Sequence, residues 1–325
     1  SFITGRRVIN LDSEAYDEIT IGAAGATIQV ARLPYRKVKM PADYVAYTVS
    51  VSGGHGGHSG VDIARGRANA IKILANLLLV AIRQCDIKLY LVSFEGGTAA
   101  AAIPGSAEAK IVIPKDKCEA FDTLVTQCDE ALEHQFAETD AEVQIDCEPS
   151  VWHSTIVCEE STHLLLAAIN GIPVGPTEML DDTTPMTSNN IGLVRQSAQH
   201  FEVSLHTRSF KDENMHQLAA QLRKIFEVTG ADVELVMKAP SWKEDETTPM
   251  LTLANTVFCD VLGFEPKKVS MHFVLEAGYL VEKFAGMHMV SIGPRIVEPH
   301  SANERVQLST VDNIWKVTVE MLRRM

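Results

Sequence analysis

The chain has 325 residues, 46% hydrophobic and 22% charged, which allows two domains that each bury a core. Its formal net charge of -13 argues against nucleic acid as a partner, because phosphates are bound by clustered Lys and Arg. A membrane partner is not indicated either, since no stretch is basic and amphipathic and the most apolar run, residues 71–82, is too short to span a bilayer.

The cysteines lie far apart, and none forms a Cys-x-x-Cys pair. This pattern favours reduced, mostly packed thiols over a disulfide framework or a structural zinc site. The N-terminal residues show no apolar signal core, so a cytoplasmic location is expected. The six cysteines are Cys85, Cys118, Cys128, Cys147, Cys158 and Cys259.

The first predicted strand covers residues 7–11 and ends at Asp12. Polar and apolar side chains alternate over residues 44–51, which predicts a half-exposed strand. A glycine-rich loop follows at 53–60, and a long helix is predicted over 63–83. The apolar side chains expected on the buried face of this helix are Ile71, Leu74, Leu77 and Leu78.

The order strand, strand, helix occurs twice, which suggests an internal repeat. Units of this kind predict an α+β domain with its helices on one face of a sheet. The first unit has strands at 89–94 and 108–113 and a helix at 118–132; the second has strands at 190–194 and 201–207 and a helix at 214–228.

The last part of the chain alternates between helix and strand, as in an α/β layer. Residues 240–249 look like a connection between domains. The opening strand before Asp12 is expected to belong to the same layer, so a smaller domain is inserted into an α/β domain. The predicted helices and strand here are 252–262, 287–292 and 308–322, and the predicted domains are 1–25, 26–241 and 242–325.

Two polar residues at the chain's ends are candidates for chemistry. Asp12 ends a strand, where a parallel sheet presents side chains to its active-site edge. Asp12 could equally cap the next turn. His300 follows a Gly-Pro turn in a loop, where an isolated histidine is more often a surface residue than a ligand.

His58 stands in the glycine-rich sequence Gly56-Gly57-His58-Ser59-Gly60. The glycines allow backbone to approach a ligand closely, and the N-terminus of the helix expected after them would attract developing negative charge. The alternative is a flexible turn. For the neighbouring His55 we expect a structural or solvent-exposed role.

Asn190 begins a predicted strand, and Arg208 follows the next one. Side by side, their amide and guanidinium groups could hold the carbonyl and the carboxylate of a peptide. An ordinary surface arginine is the alternative for Arg208.

Taken in order, the motifs resemble the aminoacyl-histidine dipeptidases (Xaa-His dipeptidase, cytosolic nonspecific dipeptidase, peptidase D). These belong to the di-zinc metallopeptidase clan that includes carboxypeptidase G. The resemblance extends over the whole chain with similar spacing. It is carried by residues 10–14, 56–60, 66–70, 94–98 and 187–192, by His272 with Leu275-Glu276, and by residues 290–294 and 299–301.

The resemblance implies an α/β catalytic domain with a two-zinc site and a large inserted lid domain. It implies that Asp12 binds one zinc ion and His300 the other. It further implies that His58, on the lid, polarises the scissile carbonyl and stabilises the oxyanion. Whether His58 acts in its own chain or across a homodimer stays open.

The remaining site residues implied by the resemblance bind the dipeptide substrate. Asn190 and Arg208 match substrate-holding positions, with Arg208 on the free carboxylate, and Glu276 and Gly293 match positions that line the pocket. The implied activity of the full-length protein is hydrolysis of dipeptides, Xaa-His and broader, by zinc-activated water. An N-acyl amino acid deacylase of the same clan and a non-catalytic peptide-binding or dimerisation module are the alternatives.

In the family, a zinc histidine, a bridging aspartate, the catalytic glutamate and a further acidic ligand precede the position of Asp12. The resemblance therefore implies that the chain corresponds to the C-terminal two-thirds of such a protein and begins within its catalytic domain. Each zinc would keep one protein ligand, Asp12 or His300, of about three that it needs. We therefore expect this chain alone to be catalytically inert and metal-poor.

Overall fold

The computed structural model describes residues 3–297 and 304–325, which form a mixed α/β structure as the sequence predicts. Strands and helices are numbered in chain order. The strands are β1 (Arg7–Asn10), β2 (Glu18–Ala23), β3 (Gly25–Pro34), β4 (Lys37–Lys39), β5 (Tyr44–Ser52), β6 (Gly57–His58), β7 (Tyr90–Gly96), β8 (Ala102–Ile103), β9 (Ala107–Pro114), β10 (Gln144–Ser150), β11 (Thr155–Val157), β12 (Gly175–Met179), β13 (Pro185–Gln196), β14 (His200–Ser209), β15 (Asp232–Ala239), β16 (Trp242–Lys243), β17 (Lys267–Met271), β18 (His288–Ser291), β19 (Ile296–Val297) and β20 (Arg305–Val306). The helices are α1 (Ala70–Arg83), α2 (Cys118–Gln135), α3 (Glu159–Gly171), α4 (Asp212–Glu227), α5 (Pro249–Leu262), α6 (Ala277–Lys283) and α7 (Leu308–Arg324).

The chain divides into two compact units. The first unit contains the described residues of Ser1–Ala26, Phe210–Asp212 and Ala239–Met325. The second unit contains Thr27–Ser209 and Glu213–Lys238. The chain therefore leaves the first unit, builds almost all of the second, and then returns to complete the first.

The first unit is built on a five-stranded sheet, in which β1, β18, β2 and β16 are neighbours in that order and β17 also pairs with β2. Strands β1 and β18 are parallel. Helix α5 begins at a Thr248 cap followed by Pro249, and it ends at Gly263 in the left-handed conformation, φ 78°. Its apolar face and that of α7 contribute to one buried core with β2 and β18.

The segment 240–249, which the sequence analysis interprets as a connection, is built into the first unit. Trp242 pairs with Ala23 in the sheet and is 2% exposed. Glu244 is buried, and its carboxylate lies 2.8 Å from the backbone nitrogen of Met289 and 2.8 Å from Nδ1 of His288. These hydrogen bonds replace the water that an acidic residue otherwise needs, so its charge was a poor guide to exposure.

The second unit is built on a nine-stranded sheet with two corresponding halves. Outward from its middle, one half runs β7, β9, β5, β10 and the other runs β13, β14, β3, β15, with β12 beside β13. In each half a pair of adjacent strands is followed in the chain by a helix and then by the edge strand. The two strand–strand–helix units found in the sequence therefore occupy equivalent places in the two halves.

Helix α1 starts later than the sequence analysis predicts. Residues Ile63–Arg65 form a single 3-10 turn, which stops at Gly66 with φ 68°. Asn69 then caps a new start, because its side chain accepts a hydrogen bond from the backbone nitrogen of Lys72 at 3.1 Å. The predicted helix over 63–83 is therefore wrong in its first seven residues.

The remainder of α1 packs into the main core of the second unit. Its four predicted core side chains are at most 2% exposed, which confirms the predicted face: Ile71, Leu74, Leu77 and Leu78. On its other side, Nζ of the half-buried Lys72 donates to three carbonyls at the end of α3, and partial burial lowers the pKa of this lysine. Among the described residues, no helix is both long and apolar enough to cross a membrane.

All six cysteines are unpaired thiols. Cys158 is buried, Cys259 is exposed, and the others are half-buried. Burial raises the pKa of Cys147 to about 12, which disfavours its thiolate. The absence of disulfides agrees with the prediction of reduced thiols, and Cys158 and the four half-buried thiols agree with the prediction that most are packed.

Candidate functional site

In the first unit, polar side chains meet where the parallel strands β1 and β18 end. Asn10 and Ser291 are paired in register, and Oδ1 of Asn10 accepts from Oγ of Ser291 and from the backbone nitrogen of Asp12, each at 2.7 Å. Oγ of Ser13 lies 2.8 Å from Oγ of Ser291. These contacts fix the loop after β1 and leave Asp12 exposed at the carboxyl edge of the sheet.

The two predicted pocket residues of the first unit contact the same loop. Nδ2 of Asn10 donates to the carboxylate of Glu276, the residue before α6. Gly293 lies against the backbone of Ser13, and a Cβ at this glycine would be 1.6 Å from the Ser13 carbonyl oxygen. Asn10 and Gly293 therefore both contact the backbone of the loop that contains Asp12.

Replacing Gly293 by alanine should lower the free energy of unfolding by roughly 1–3 kcal/mol, because the added methyl group forces backbone atoms apart. Chemical denaturation with urea measures this change. Gly5→Ala is the matched control, since nothing lies within 4 Å of a Cβ at Gly5. Equal stability of the two variants would contradict the close packing at Gly293.

The predicted pairing of Asp12 with His300 cannot be followed across the fold, because His300 lies outside the described residues. Within 3–297 and 304–325, no group of three or more His, Cys, Asp or Glu side chains is placed to hold a metal ion. The described residues thus provide one predicted ligand, Asp12, and do not by themselves fit a zinc centre.

In the second unit, the predicted substrate residues lie on β13 and β14. Asn190 is opposite His206, and Ser188 is opposite Arg208. Opposite and alternate residues of paired strands share a face, so all four side chains are on one side of the sheet. Asn190 and Arg208 therefore share a face of the sheet, but they are diagonal to each other and not directly opposite. Both lie inside their strands, whereas the sequence analysis puts Asn190 at the start of one strand and Arg208 after the end of the other.

The amide of Asn190 has a fixed orientation. Its Oδ1 accepts from Nδ2 of Asn69 at 3.2 Å, and its Nδ2 donates to the carbonyl of Ala102 at 2.8 Å. Asn69 also donates to the carbonyl of Ile191 at 3.0 Å while it caps α1. One residue thus couples the start of the helix to the side chain of Asn190.

Arg208 is not a surface arginine. Its side chain is 3% exposed, and its Nε has no hydrogen-bond partner among the described residues. Burial lowers the pKa of Arg208 to about 10, so the guanidinium is still charged at neutral pH. A buried cation with an unused donor is suited to an anionic ligand that can accept from it.

His58 lies on β6, which pairs with β8, and its side chain is exposed. Its Nδ1 lies 3.1 Å from the backbone nitrogens of both Gly60 and Val61. The expectation that a helix N-terminus follows it directly is wrong, because α1 begins only at Ala70. The nearby His55 has a 60% exposed side chain, with Nδ1 3.3 Å from a carboxylate oxygen of Asp140, which agrees with the role expected for it.

Sequence reasoning assigned no site role to three residues that contribute to this polar face: Ser59, Asn69 and His206. Ser59 is buried, and its Oγ lies 3.3 Å from Nδ1 of His206. Asn69 appeared only as part of a motif. A usable signal was the two runs of polar residues at positions 187–190 and 206–209, which lie within strands and are buried.

Comparison with known proteins agrees with the resemblance seen in the motifs. Residues 47–140 match the peptidase dimerisation domain, M20_dimer. The chain is 29% identical over 318 residues to the cytosol non-specific dipeptidase of Escherichia coli (strain K12), covering 97% of this chain and 65% of that protein. It superimposes on the crystal structure of aminoacylhistidine dipeptidase from Vibrio alginolyticus with a TM-score of 0.89 and 27% identity, covering 100% of this chain and 66% of that one.

The chain therefore contains a peptidase dimerisation domain of the M20 type. It is a homologue of the cytosol non-specific dipeptidase and of aminoacylhistidine dipeptidase, which confirms the resemblance. It spans slightly less than two thirds of the length of each of these two relatives.

Proposed function

We propose that the whole protein containing this chain hydrolyses dipeptides, Xaa-His dipeptides among them, in the cytoplasm. In this proposal the first unit belongs to an α/β catalytic domain and the second is its lid domain, with a homodimer as the expected assembly. Two observations support it: both relatives are named as dipeptidases, and a dimerisation domain matches part of the second unit.

The observation that carries the proposal is the buried guanidinium of Arg208 on the same sheet face as Asn190. A dipeptide ends in a carboxylate close to its single peptide carbonyl. The unused Nε of Arg208 suits the carboxylate, and the fixed amide of Asn190 suits the carbonyl oxygen. The spacing of two diagonal neighbours on a sheet, about 7–8 Å between their Cα atoms, matches the size of such a ligand.

In the proposal, His58 donates a hydrogen bond to the scissile carbonyl and stabilises the oxyanion, while Glu276 and Gly293 line the substrate pocket. Asp12 and His300 each supply one ligand to a pair of zinc ions. Because the described residues do not complete a zinc centre, no step is assigned to the metal, and this chain's own contribution is substrate binding and oxyanion stabilisation.

The test is hydrolysis of alanyl-histidine and of N-acetylhistidine by the purified whole protein supplied with zinc. We expect the dipeptide to be the better substrate by at least about tenfold in kcat/KM. A preference for N-acetylhistidine would instead indicate a deacylase, and hydrolysis of neither would indicate a binding module. The 325-residue chain assayed alone should be inactive, and activity there would contradict the assignment of single zinc ligands to Asp12 and His300.

A further inference from the structure

We infer that Asp62 is a positioning residue that holds the neutral ring of His58 in one tautomer, with the ring hydrogen on Nε2. The structural part depends only on residues 56–67. Its catalytic consequence rests on the function proposed above.

Two backbone groups determine which ring nitrogen of His58 carries hydrogen. The N–H groups of Gly60 and Val61 both point at Nδ1, each with a nitrogen–nitrogen distance of 3.1 Å. A nitrogen that accepts these bonds must present its lone pair. A hydrogen on Nδ1 would face two other N–H hydrogens, so the neutral ring carries its hydrogen on Nε2.

Asp62 stabilises this arrangement through two hydrogen bonds to the backbone of His58. Its Oδ2 accepts from the backbone nitrogen of His58 at 2.8 Å, and its own backbone nitrogen donates to the His58 carbonyl at 3.0 Å. The carboxylate is held from the other side by Nε of Arg65 at 3.2 Å and by Nη1 of Arg67 at 3.5 Å. Arg67 also donates to the carbonyl of Gly56 at 2.6 Å, which ties both ends of the loop together.

The glycine before His58 leaves room for the carboxylate. Gly57 has φ 127°, and a Cβ there would lie 2.6 Å from Oδ2 of Asp62 and 2.2 Å from Nη1 of Arg67. A side chain at this position would therefore displace Asp62 from the turn. The glycine that the sequence analysis connected with ligand approach is required here for the positioning of Asp62.

The consequence is that His58 acts as a donor. To serve as a general base or a metal ligand, Nε2 would need its own lone pair, and the ring hydrogen would have to move to Nδ1, against Gly60 and Val61. An Nε2–H group can instead donate to a carbonyl oxygen as negative charge develops on it.

His55 lies in the same loop and serves as a spectral comparison. Its Nδ1 lies 3.3 Å from Oδ1 of Asp140, and its side chain is 60% exposed.

The experiment is a long-range ¹H–¹⁵N correlation spectrum of the ¹⁵N-histidine-labelled 325-residue chain, at a pH where both rings are neutral. His58→Ala and His55→Ala identify the two signals by their loss. We expect a pyrrole-like Nε2 for His58. Asp62→Ala should convert His58 to a mixture of the two tautomers. Asp62→Asn should keep the original tautomer, because its amide oxygen still accepts the hydrogen bond from the backbone nitrogen of His58. A pyrrole-like Nδ1 in wild-type His58, or no change in Asp62→Ala, would overturn the inference.

The catalytic consequence has a separate readout in the zinc-supplied whole protein. Asp62→Ala should reduce kcat for alanyl-histidine by roughly 10- to 100-fold with KM nearly unchanged, as expected for a misplaced donor, and Asp62→Asn should recover most of the loss. An altered spectrum with an unchanged kcat would contradict the proposed part of His58 in hydrolysis and leave the structural inference standing.

Discussion

Replacing Arg208 by methionine should reduce kcat/KM for dipeptides by roughly 100- to 1000-fold and leave the protein at least as stable as the wild type. The loss of activity follows because a buried, charge-assisted pair with the substrate carboxylate contributes about 2–5 kcal/mol, and each 1.4 kcal/mol is a factor of ten. The effect should appear mainly in KM, since the carboxylate is bound equally before and during the reaction.

The stability half of this prediction follows from the burial of the charge. The lowering of the pKa of Arg208 to about 10 by burial corresponds to a cost of roughly 3 kcal/mol for the charged form in the folded protein. Because the pKa is lower in the folded than in the unfolded state, this cost is present at every pH below about 10 and is relieved only above it. Methionine fills a similar volume without a charge.

Thermal or urea unfolding, run beside the kinetic assay, separates a substrate-binding arginine from a structural one. The matched control is Arg195→Met, on the paired strand β13 and exposed to solvent. It should change kcat/KM by no more than about twofold and leave the stability almost unaffected. A large loss of stability in Arg208→Met would show that the guanidinium supports the fold, against the present account.

Replacing His58 by alanine should reduce kcat by roughly 100- to 1000-fold while KM changes little, because an oxyanion donor contributes mainly in the transition state. Steady-state kinetics on alanyl-histidine with the zinc-supplied whole protein measures both constants. The side chain is exposed, so unfolding should be almost unaffected.

His55→Ala is the matched control for this loop. Its side chain is 60% exposed and its backbone nitrogen, which the substitution keeps, donates to Asp140. We expect kcat to stay within about twofold of the wild type, as is usual for exposed positions. Similar losses in the two variants would mean that the loop needs its histidines for shape and would remove the special role of His58.

Much of the fold followed from the sequence where one pattern dominated. The apolar spacing from Ile71 to Leu78 placed the buried face of α1 correctly, since burial is the main source of helix stability in proteins. Its start was misplaced because Gly66 and Asn69 end one turn and begin another, a local effect that apolar periodicity does not register. The charged segment around Glu244 was misjudged because its partners, His288 and Met289, are distant in sequence.

The candidate site was predictable in its residue types and less so in its geometry. That Asn190 and Arg208 share a face, and that they are diagonal to each other, both depend on the register of β13 and β14, which no local pattern specifies. The tethering of Asn190 by Asn69 joins a helix cap to a strand 121 positions away, and no local pattern contains that information. The resemblance to dipeptidases supplied roles for His58 and Arg208 that spacing alone left open.

The most direct measurement compares alanyl-histidine with the same dipeptide carrying a C-terminal amide, in the wild type and in Arg208→Met. If the guanidinium binds the free carboxylate, the wild type should prefer the acid by roughly 100-fold in kcat/KM, and the variant should lose most of this preference. A variant that still discriminates as strongly as the wild type would contradict the assignment of Arg208 and, with it, the dipeptide site proposed for this chain.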